Sequence, residues 1–397
     1  MTTTVPPVGA DVHPTAPAVA SLLGRGADHT VAEIAQQPAL WRVVGRDVAA
    51  WTEGRAALAE LLGRPELRIV LTGAGTSAFA GEVLAPVLRR ARGGRVDAVA
   101  TTAVVADPRG VFAEDVPTLL VSFARSGDSP ESVATAELAT DLLTECHHLV
   151  LTCNPDGELA KAHTGRAGSH VLLMPAGSND RGFAMTSSFT CMLLAARLVL
   201  GAAVSPEATA DRLATSVESS LADRVAVTAA LAGGRNSRIV YLGSGGLQGL
   251  ARESALKLLE LTAGAVVAIA DSSLGFRHGP KAFLDDDTLA LVYLSADPYT
   301  RRYDLDIVRE LRAALPAGRV VAVGAPAADG LDAPVWDLPD LDGLDDALRA
   351  LPAVVGAQLL ALQASLVRGL GSDNPFPSGE VNRVVQGVTV HPLDPPA

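Results

Sequence analysis

Two stretches of this chain, 170 residues apart, repeat the same order of an apolar strand, a glycine-rich turn and a helix. The first reads RIVLTGAGTSAFAGEVLAPVLRR and the second RIVYLGSGGLQGLARESALKLLE, so that Gly73 corresponds to Gly243. The apolar runs TLLVSFA at Thr118 and TLALVYLS at Thr288 keep the same separation, and HLVLTCNP and RVVAVGAP are 171 residues apart. A nearly constant offset across these strands indicates a duplicated domain.

Each copy alternates continuous apolar runs with helical stretches, which is typical of a parallel sheet covered by helices on both faces. We therefore expect an α/β protein with two tandem doubly wound domains, each a parallel sheet flanked by helices, joined near residues 205 to 225. The expected bounds are an N-terminal arm and helix over 1–45, a first domain over 46–215, and a second domain with a C-terminal tail over 216–397.

Composition excludes several classes of partner. The chain has 397 residues, 48% of them hydrophobic, and a formal net charge of -12, which argues against nucleic acid or an acidic membrane as a partner. The apolar segment CMLLAARLVLGAAV is too short to span a membrane and contains Arg197. Three cysteines without metal-ligand spacing predict neither a disulfide framework nor a metal site. The N-terminus lacks the pattern of a signal peptide, so we expect a cytoplasmic protein.

The turn after the first repeated strand is suited to holding an anion. Gly73 and Gly75 let the backbone turn sharply, and the amides that follow open onto the positive end of a helix. Thr76 and Ser77 add hydroxyl donors, although such residues also cap helices that bind nothing. The two glycines also begin a weak dinucleotide-binding fingerprint, with Asp97 at roughly the expected distance.

A second hydroxyl-rich loop, in VSFARSGDSPES, follows the next apolar run. Ser126, Gly127 and Ser129 lie there beside Arg125, for which a surface salt bridge is the alternative role. Loops that follow neighbouring parallel strands meet at one edge of the sheet, where ligands bind. The two loops would therefore form a compact cup, which favours a sugar phosphate over a dinucleotide.

The second copy carries different chemistry. Its turn at 243–246 lacks the Thr-Ser pair, and no serine-rich loop follows TLALVYLS, so we expect this domain to have given up phosphate. The next helix places Glu253, Lys257 and Glu260 on one face, at positions i, i+4 and i+7. An exposed ion-pair stripe would have the same spacing.

A histidine follows this helix in the string DSSLGFRHGPK. His278 lies in a glycine-proline turn 18 residues after Glu260, and a lone histidine is more often a surface or core residue. A histidine, a carboxylate and a lysine together are nevertheless what proton transfer on a sugar carbonyl needs. The histidine would open the sugar ring, Glu260 would move a proton between neighbouring carbons, and Lys257 would stabilise negative charge. This chemistry requires neither a metal nor a cofactor.

The paired loops, followed by ESALKLLEL and FRHGPK, resemble the sugar isomerase (SIS) domain family, and double-SIS proteins in particular. The strings SFARSGDSPES, NDRGFAMTSSFTCM, SADPYTRRYDLD and DNPFPSGEVNRVVQG more specifically resemble the AgaS group, over about residues 30 to 393. The resemblance implies two tandem SIS domains and an amino-sugar-phosphate deaminase/isomerase. Its reaction would convert galactosamine 6-phosphate and water to tagatose 6-phosphate and ammonia.

The resemblance also implies roles for individual residues. Glu260 would be the base that transfers the proton between C1 and C2, and His278 would open the ring. In relatives that histidine comes from the neighbouring subunit, which implies a homodimer with a shared site. Lys257 and Glu253 match polar positions on the same helix. The positions implied to bind the substrate's phosphate or sugar are Gly75, Thr76, Ser77, Arg125, Ser126, Ser129, Thr186 and Ser187.

The C-terminal tail departs from the pattern of the aminotransferase relatives, which carry a lysine there that forms a Schiff base. Gln386 occupies that position, and the last lysine of the chain is Lys281, which argues against covalent capture. Arg383 and Gln386 are therefore candidates for simple sugar contacts. Three alternatives stay open: aldose–ketose isomerisation, release of an amine from a fructosamine phosphate, and a sugar-phosphate sensor without activity.

Overall fold

A computed structural model describes residues 17–201, 204–234, 236–324, 331, 335–385 and 387–393. Most of the expected N-terminal arm, and Gln386, lie outside these residues. Within them the chain forms two five-stranded parallel sheets with helices packed around them. The expectation of two doubly wound α/β units is therefore confirmed.

The first sheet has the strand order β2-β1-β3-β4-β5. Every residue of its central strand β3 is buried, as expected for a strand covered on both faces. The strands are β1 (Arg68–Thr72), β2 (Val96–Ala98), β3 (Thr118–Ala124), β4 (Cys146–Thr152) and β5 (Ser169–Leu173). The helices between them are α3 (Thr76–Arg92), α4 (Thr101–Ala106), α5 (Pro108–Val111), α6 (Pro130–Leu142) and α7 (Glu158–His163).

The second sheet, of order β10-β9-β8-β6-β7, repeats the first strand for strand. Ile69 pairs with Leu119 in the first sheet and Ile239 with Leu289 in the second, so the duplicated strands also keep one register. The strands are β6 (Arg238–Gly243), β7 (Val267–Asp271), β8 (Thr288–Tyr293), β9 (Val320–Val323) and β10 (Val335–Trp336). Helices α10 (Gly246–Leu261) and α11 (Pro298–Ala314) accompany them.

A group of long helices joins the two sheets. These are α1 (Asp28–Ala50), α2 (Thr52–Leu62), α8 (Ser187–Leu200), α9 (Pro206–Ala232) and α12 (Asp346–Val367). Helix α9 runs without interruption across the expected junction, and the boundary at 215/216 lies inside it, so the division into domains stays a prediction. Helix α12 is long and apolar enough to cross a membrane, but 94% of its apolar window is buried inside the protein, as in a core helix.

Helices α3 and α10 lie against each other between the two sheets. Glycine permits this close approach, because a Cβ atom at Gly246 would lie 2.5 Å from the Val83 carbonyl oxygen. A Cβ at Gly249 would lie 2.8 Å from the Cβ of Glu82. Distances below 3.0 Å are not tolerated, so larger residues at these positions would separate the helices. The contact brings the polar face of α10 to the start of α3.

Candidate functional site

The turn between β1 and α3 has the sharp bend expected from its glycines. Gly75 precedes α3 with φ of +54°, a conformation that favours glycine. A Cβ at Gly73 would lie 2.6 Å from the Cβ of Ser77, so the chain passes close to its own helix there. Thr76 and Ser77 are both buried in the first turn of α3. The turn therefore presents the helix N-terminus at the carboxyl edge of the sheet.

The serine-rich loop lies beside this turn, between β3 and α6. Gly127 has φ of +74°, and a Cβ there would lie 3.3 Å from the Cα of Gly157. Because β1 and β3 are neighbours in the sheet, their loops border one cavity of about 110 Å³. Its lining includes Ala74, Ser77, Arg125, Ser126, Gly127, Ser129, Ser132, Met185 and Arg383. The structure thus brings the two hydroxyl-rich loops together.

Arg125 is an unusual cation within this lining because only 8% of its surface is exposed. Its Nη2 donates a hydrogen bond of 2.7 Å to the carbonyl oxygen of Arg383 in the C-terminal tail. Its buried Nη1 has no partner among the described residues. Burial and the charge of Arg383 lower the pKa of Arg125. A buried donor without an acceptor is costly, so this nitrogen is suited to an anion that enters the cavity.

The polar face of α10 is buried rather than exposed. The side chains of Glu253 and Lys257 have no exposed surface, and that of Glu260 is 24% exposed. The Lys257 ammonium donates to the Thr76 hydroxyl, at 2.9 Å, and to the Glu260 carboxylate. It lies 3.7 Å from Glu253. The alternative of a solvated ion-pair stripe is therefore wrong.

Burial sets the charges of this cluster. It raises the pKa of Glu253 to about 8, although Lys257 opposes that shift. Neither carboxyl oxygen of Glu253 has a hydrogen-bond partner in the part of the chain described here. Burial alone would lower the pKa of Lys257, but the charges of Glu253 and Glu260 outweigh it and raise that pKa. Glu253 therefore holds its proton more tightly than an ordinary glutamate, and Lys257 keeps its charge.

His278 is carried by a separate turn of the chain, after β7. It is exposed, in the turn before Gly279, which has φ of +124°. Glu310 on α11 holds this turn in place by accepting hydrogen bonds from Arg277 and Lys281, which flank it. Between His278 and the α10 cluster the described residues make no hydrogen bond or ion pair. The predicted catalytic histidine is therefore presented outward by a fixed turn.

Thr186 and Ser187 are buried at the start of α8 and do not border the cavity. The Thr186 hydroxyl donates to the Asp180 carboxylate at 3.0 Å, and the Ser187 hydroxyl donates to the Glu33 carbonyl oxygen at 2.7 Å. Asp180 is fully buried and also accepts from the backbone amides of Thr186, Ser187 and Ser188. Sequence reasoning missed Asp180, and its only signal was a place in the string NDRGFAMTSSFTCM. A role for these hydroxyls in sugar contact stays a prediction.

The C-terminal tail returns from α12 to the first sheet. The Asp373 carboxylate accepts from the amide and hydroxyl of Thr30, both at 2.8 Å, and the rings of Phe376 and Phe183 lie 5.2 Å apart. Arg383 then reaches the cavity together with Val384 and Val385. The tail therefore forms one wall of the anion cavity.

Among the described residues no group of three or more His, Cys, Asp or Glu side chains could hold a metal ion. Cys153 is buried, and burial raises the pKa of its thiol to about 12. Such a thiol is a poor nucleophile at neutral pH.

Comparison with known proteins agrees with this arrangement. Residues 63–202 match the family model described as SIS domain. An AgaS protein of Streptomyces coelicolor is 64% identical over 92% of this chain and 96% of its own length. The D-galactosamine-6-phosphate deaminase AgaS of Shewanella sp. (strain ANA-3) is 41% identical, with 93% of each chain covered.

A solved structure shares the whole fold. The tagatose-6-phosphate ketose/aldose isomerase from Escherichia coli is 41% identical, with a TM-score of 0.83 over 92% of this chain and 97% of that one. Identity at this level over nearly the full length of both chains is shared by members of one family. The protein described here therefore belongs to the AgaS family of SIS-domain proteins.

Proposed function

We propose that this protein is a cytoplasmic deaminase and isomerase of amino-sugar phosphates. Its reaction converts galactosamine 6-phosphate and water to tagatose 6-phosphate and ammonia. The observation that carries the proposal is the hydrogen bond between Lys257 and Thr76, which joins the acid–base cluster of α10 to the phosphate turn. The names of the AgaS relatives support the choice of substrate.

The phosphate group would bind in the cavity between the two hydroxyl-rich loops. Ser77, Ser126 and Ser129 line it with hydroxyl groups, and the unpartnered Nη1 of Arg125 supplies a charged donor. Charge-assisted hydrogen bonds to phosphate are about twice as strong as neutral ones. A phosphate held there leaves the sugar carbons free to extend toward α10, because Thr76 contacts Lys257.

Ring opening would fall to His278 of a neighbouring chain. This histidine is exposed, and in its own chain it makes no hydrogen bond or ion pair with α10 among the described residues. We therefore infer a homodimer in which each active site takes its histidine from the other subunit. An imidazole can pass a proton between the anomeric hydroxyl and the ring oxygen near neutral pH.

Glu260 would then move the proton that changes aldose into ketose. Removal of the C2 proton from the open aldehyde gives an enolamine, and return of a proton to C1 gives an imine at C2. Water adds to that imine, and ammonia leaves as the C2 ketone forms. Lys257 would stabilise the negative charge that develops on the C1 oxygen, and a protonated Glu253 leaves the charge of Lys257 available for this. No external oxidant or reductant is needed.

The test is simultaneous measurement of ammonia and ketose phosphate from galactosamine 6-phosphate and glucosamine 6-phosphate, without added metal. Equal amounts of both products are expected, with the galacto substrate preferred. Glu260→Gln should reduce turnover about 10²–10⁴-fold, the usual contribution of a positioned proton transfer. Glu137→Gln, an exposed glutamate on α6, is the matched control and should leave turnover unchanged. Full turnover by folded Glu260→Gln would refute the assignment of the base.

Plain aldose–ketose isomerisation is the second candidate, because the E. coli structure carries that name. It uses the same transfer between C1 and C2 and differs only in the group on C2. Deuterium incorporation from solvent into a neutral sugar phosphate, without ammonia from amino sugars, would favour it. Binding without turnover of any sugar phosphate would instead indicate a sensor.

A further inference from the structure

A second cavity, of about 420 Å³, lies at the carboxyl edge of the second sheet. The loop after β6 (Ser244–Gly246) and the loop after β8 (including Ala296, Asp297 and Thr300) both line it. The anion cavity of the first sheet is lined by the corresponding loops after β1 and β3. In an open α/β sheet, ligands bind where the strand order reverses, and each cavity lies at that position in its own sheet.

The turn before α10 has the same backbone conformation as the turn before α3. Gly245 has φ of 58° and ψ of -127°, and Gly75 has φ of 54° and ψ of -125°. Each glycine directly precedes a helix of at least 16 residues. The sequence predicted loss of phosphate binding because the Thr-Ser pair and the serine-rich loop are absent, but backbone amides and the helix dipole do not depend on them.

Arginine side chains around the second cavity have unused donors. Arg349 donates from Nη2 to the Leu341 carbonyl oxygen at 3.1 Å, and that atom lies 3.8 Å from Asp342. Its Nε is buried and has no acceptor among the residues that the structure describes. Arg90 lies at the mouth with 69% of its side chain exposed, 3.2 Å from Asp297. These two side chains can therefore donate to a ligand.

The carboxylates around the cavity are already bonded. Asp345 accepts two hydrogen bonds from Arg197, at 2.9 and 2.7 Å. Asp346 accepts from the Ser295 hydroxyl and from the amide of Ala296, both at 2.6 Å. Asp297 likewise accepts from Arg90 and from the amides of Tyr299 and Thr300, so all three lining carboxylates are engaged, whereas the Nε of Arg349 is not. A ligand that supplies acceptors, and therefore an anion, fits this cavity better than a cation.

We propose that this cavity is a second phosphate-monoester site, distinct from the substrate site and outside the proposed reaction. The phosphate would lie at Ser244–Gly246, between Arg90 and Arg349. The volume is within the range of small-molecule sites, so a phosphorylated sugar fits as well as a free phosphate. Helix α10 begins at this cavity and carries Lys257 and Glu260 about three and four turns later. A ligand there contacts both α3 and α10 and therefore acts on the position of the catalytic cluster.

The experiment counts binding sites by equilibrium dialysis. The Glu260→Gln protein, whose turnover is expected to be about 10²–10⁴-fold lower, is titrated with inorganic phosphate and separately with galactosamine 6-phosphate. We expect a second equivalent of ligand per chain. Arg90→Ala and Arg349→Gln should each weaken that equivalent about tenfold or more, because each removes a charged hydrogen bond. Ser126→Ala combined with Ser129→Ala should weaken only the first equivalent.

Two further variants protect the test from misfolding and from nonspecific charge effects. Ala91→Phe fills the cavity mouth without removing a charge and should also abolish the second equivalent, so the test does not depend on Arg349. Arg89→Ala removes a neighbouring cation of α3 that does not line the cavity and should change nothing.

Either of two results would overturn the proposal. One is a single equivalent that disappears with the serine variants, and the other is a second equivalent that survives every cavity variant. If the second cavity binds galactosamine 6-phosphate but not inorganic phosphate, it recognises the sugar as well as the phosphate. If it binds both ligands, it recognises the phosphate group. Because inorganic phosphate undergoes no reaction, its second equivalent does not depend on the proposed reaction.

Discussion

The ammonium group of Lys257 lies 2.9 Å from the hydroxyl oxygen of Thr76, and the two residues belong to different repeats of the chain. Lys257 is fully buried, so this bond and its ion pairs replace all of its hydration. The phosphate turn and the acid–base helix are therefore held in a fixed relation before any ligand binds. Preorganisation of this kind lowers the cost of assembling a reactive geometry.

Loss of this bond should reduce both stability and turnover. Thr76→Val keeps the shape of the side chain but removes the acceptor, and we expect a loss of about 1.5–3 kcal/mol because the donor is charged. Thr76→Ser keeps the hydroxyl and should retain most of both properties. Thermal unfolding and initial rates of the two variants provide the comparison. If Thr76→Val and Thr76→Ser had the same stability and turnover, the hydrogen bond to Lys257 would not stabilise the site.

The contribution of Glu253 to stability should fall as pH rises from about 4.5 to 8. The folded protein holds the proton of Glu253 up to about pH 8, whereas an unfolded glutamate loses it near the ordinary pKa of 4.5. The folded state therefore binds more protons across this window, and raising the pH favours unfolding. Glu33 has a pKa of about 8, raised by burial and by Asp180, and contributes in the same direction.

Glu253→Gln removes one of these two contributions. The melting temperature of the variant relative to the parent should rise between pH 5 and pH 8, with part of the pH dependence left to Glu33. The melting temperature of Glu137→Gln, a change at an exposed position, should show the same pH dependence as that of the parent. A constant difference between Glu253→Gln and the parent at all pH values would show that Glu253 is ionised in the folded protein.

Arg125 should affect both substrate binding and the C-terminal tail. Arg125→Ala removes the buried donor in the cavity and the bond to the Arg383 carbonyl, so KM should rise about tenfold or more. Trypsin should then cleave the tail faster. Arg125→Lys keeps the charge but cannot make both bonds, and should recover only part of the affinity. Arg166→Ala, an exposed control, should alter neither property.

Hybrid dimers should show which subunit supplies His278 to each active site. Inactive Glu260→Gln and His278→Ala proteins, mixed and allowed to exchange subunits, should regain about a quarter of parental activity, since half of the dimers carry one intact shared site. Each protein incubated alone under the same conditions is the control. No recovery despite verified exchange would place His278 in the site of its own chain.

The fold was predictable because duplication is a long-range signal that a single sequence contains. The constant offset between Ile69 and Ile239 already implied two sheets of one topology, and the shared register of the two β-strand pairs follows from it. The position of α12 was not predictable in this way. An apolar helix indicates burial, but its composition does not specify which helices bury it.

The site was predictable where function depends on loops at a sheet edge. Neighbouring strands bring Ser77 and Ser126 to one cavity, as strand order requires. Burial of Lys257 was not predictable, since helical spacing is the same for a solvated and a buried charge stripe. The bonds of Thr186 to Asp180 were missed for a similar reason, because a hydroxyl group has the same sequence signal whether it meets a substrate or another side chain.

The central place of α12 imposes an order of events on synthesis of the chain. Helices α1, α8, α9 and α10 all pack against it, yet all of them leave the ribosome earlier. At about 5–20 residues per second, the apolar faces of α1 wait roughly 15–60 s for their last neighbour. During that interval the nascent chain exposes a surface to which chaperones and other nascent chains can bind. A stop codon before Asp346 would make that exposure permanent, so loss of this one helix should direct the whole chain to aggregation or degradation.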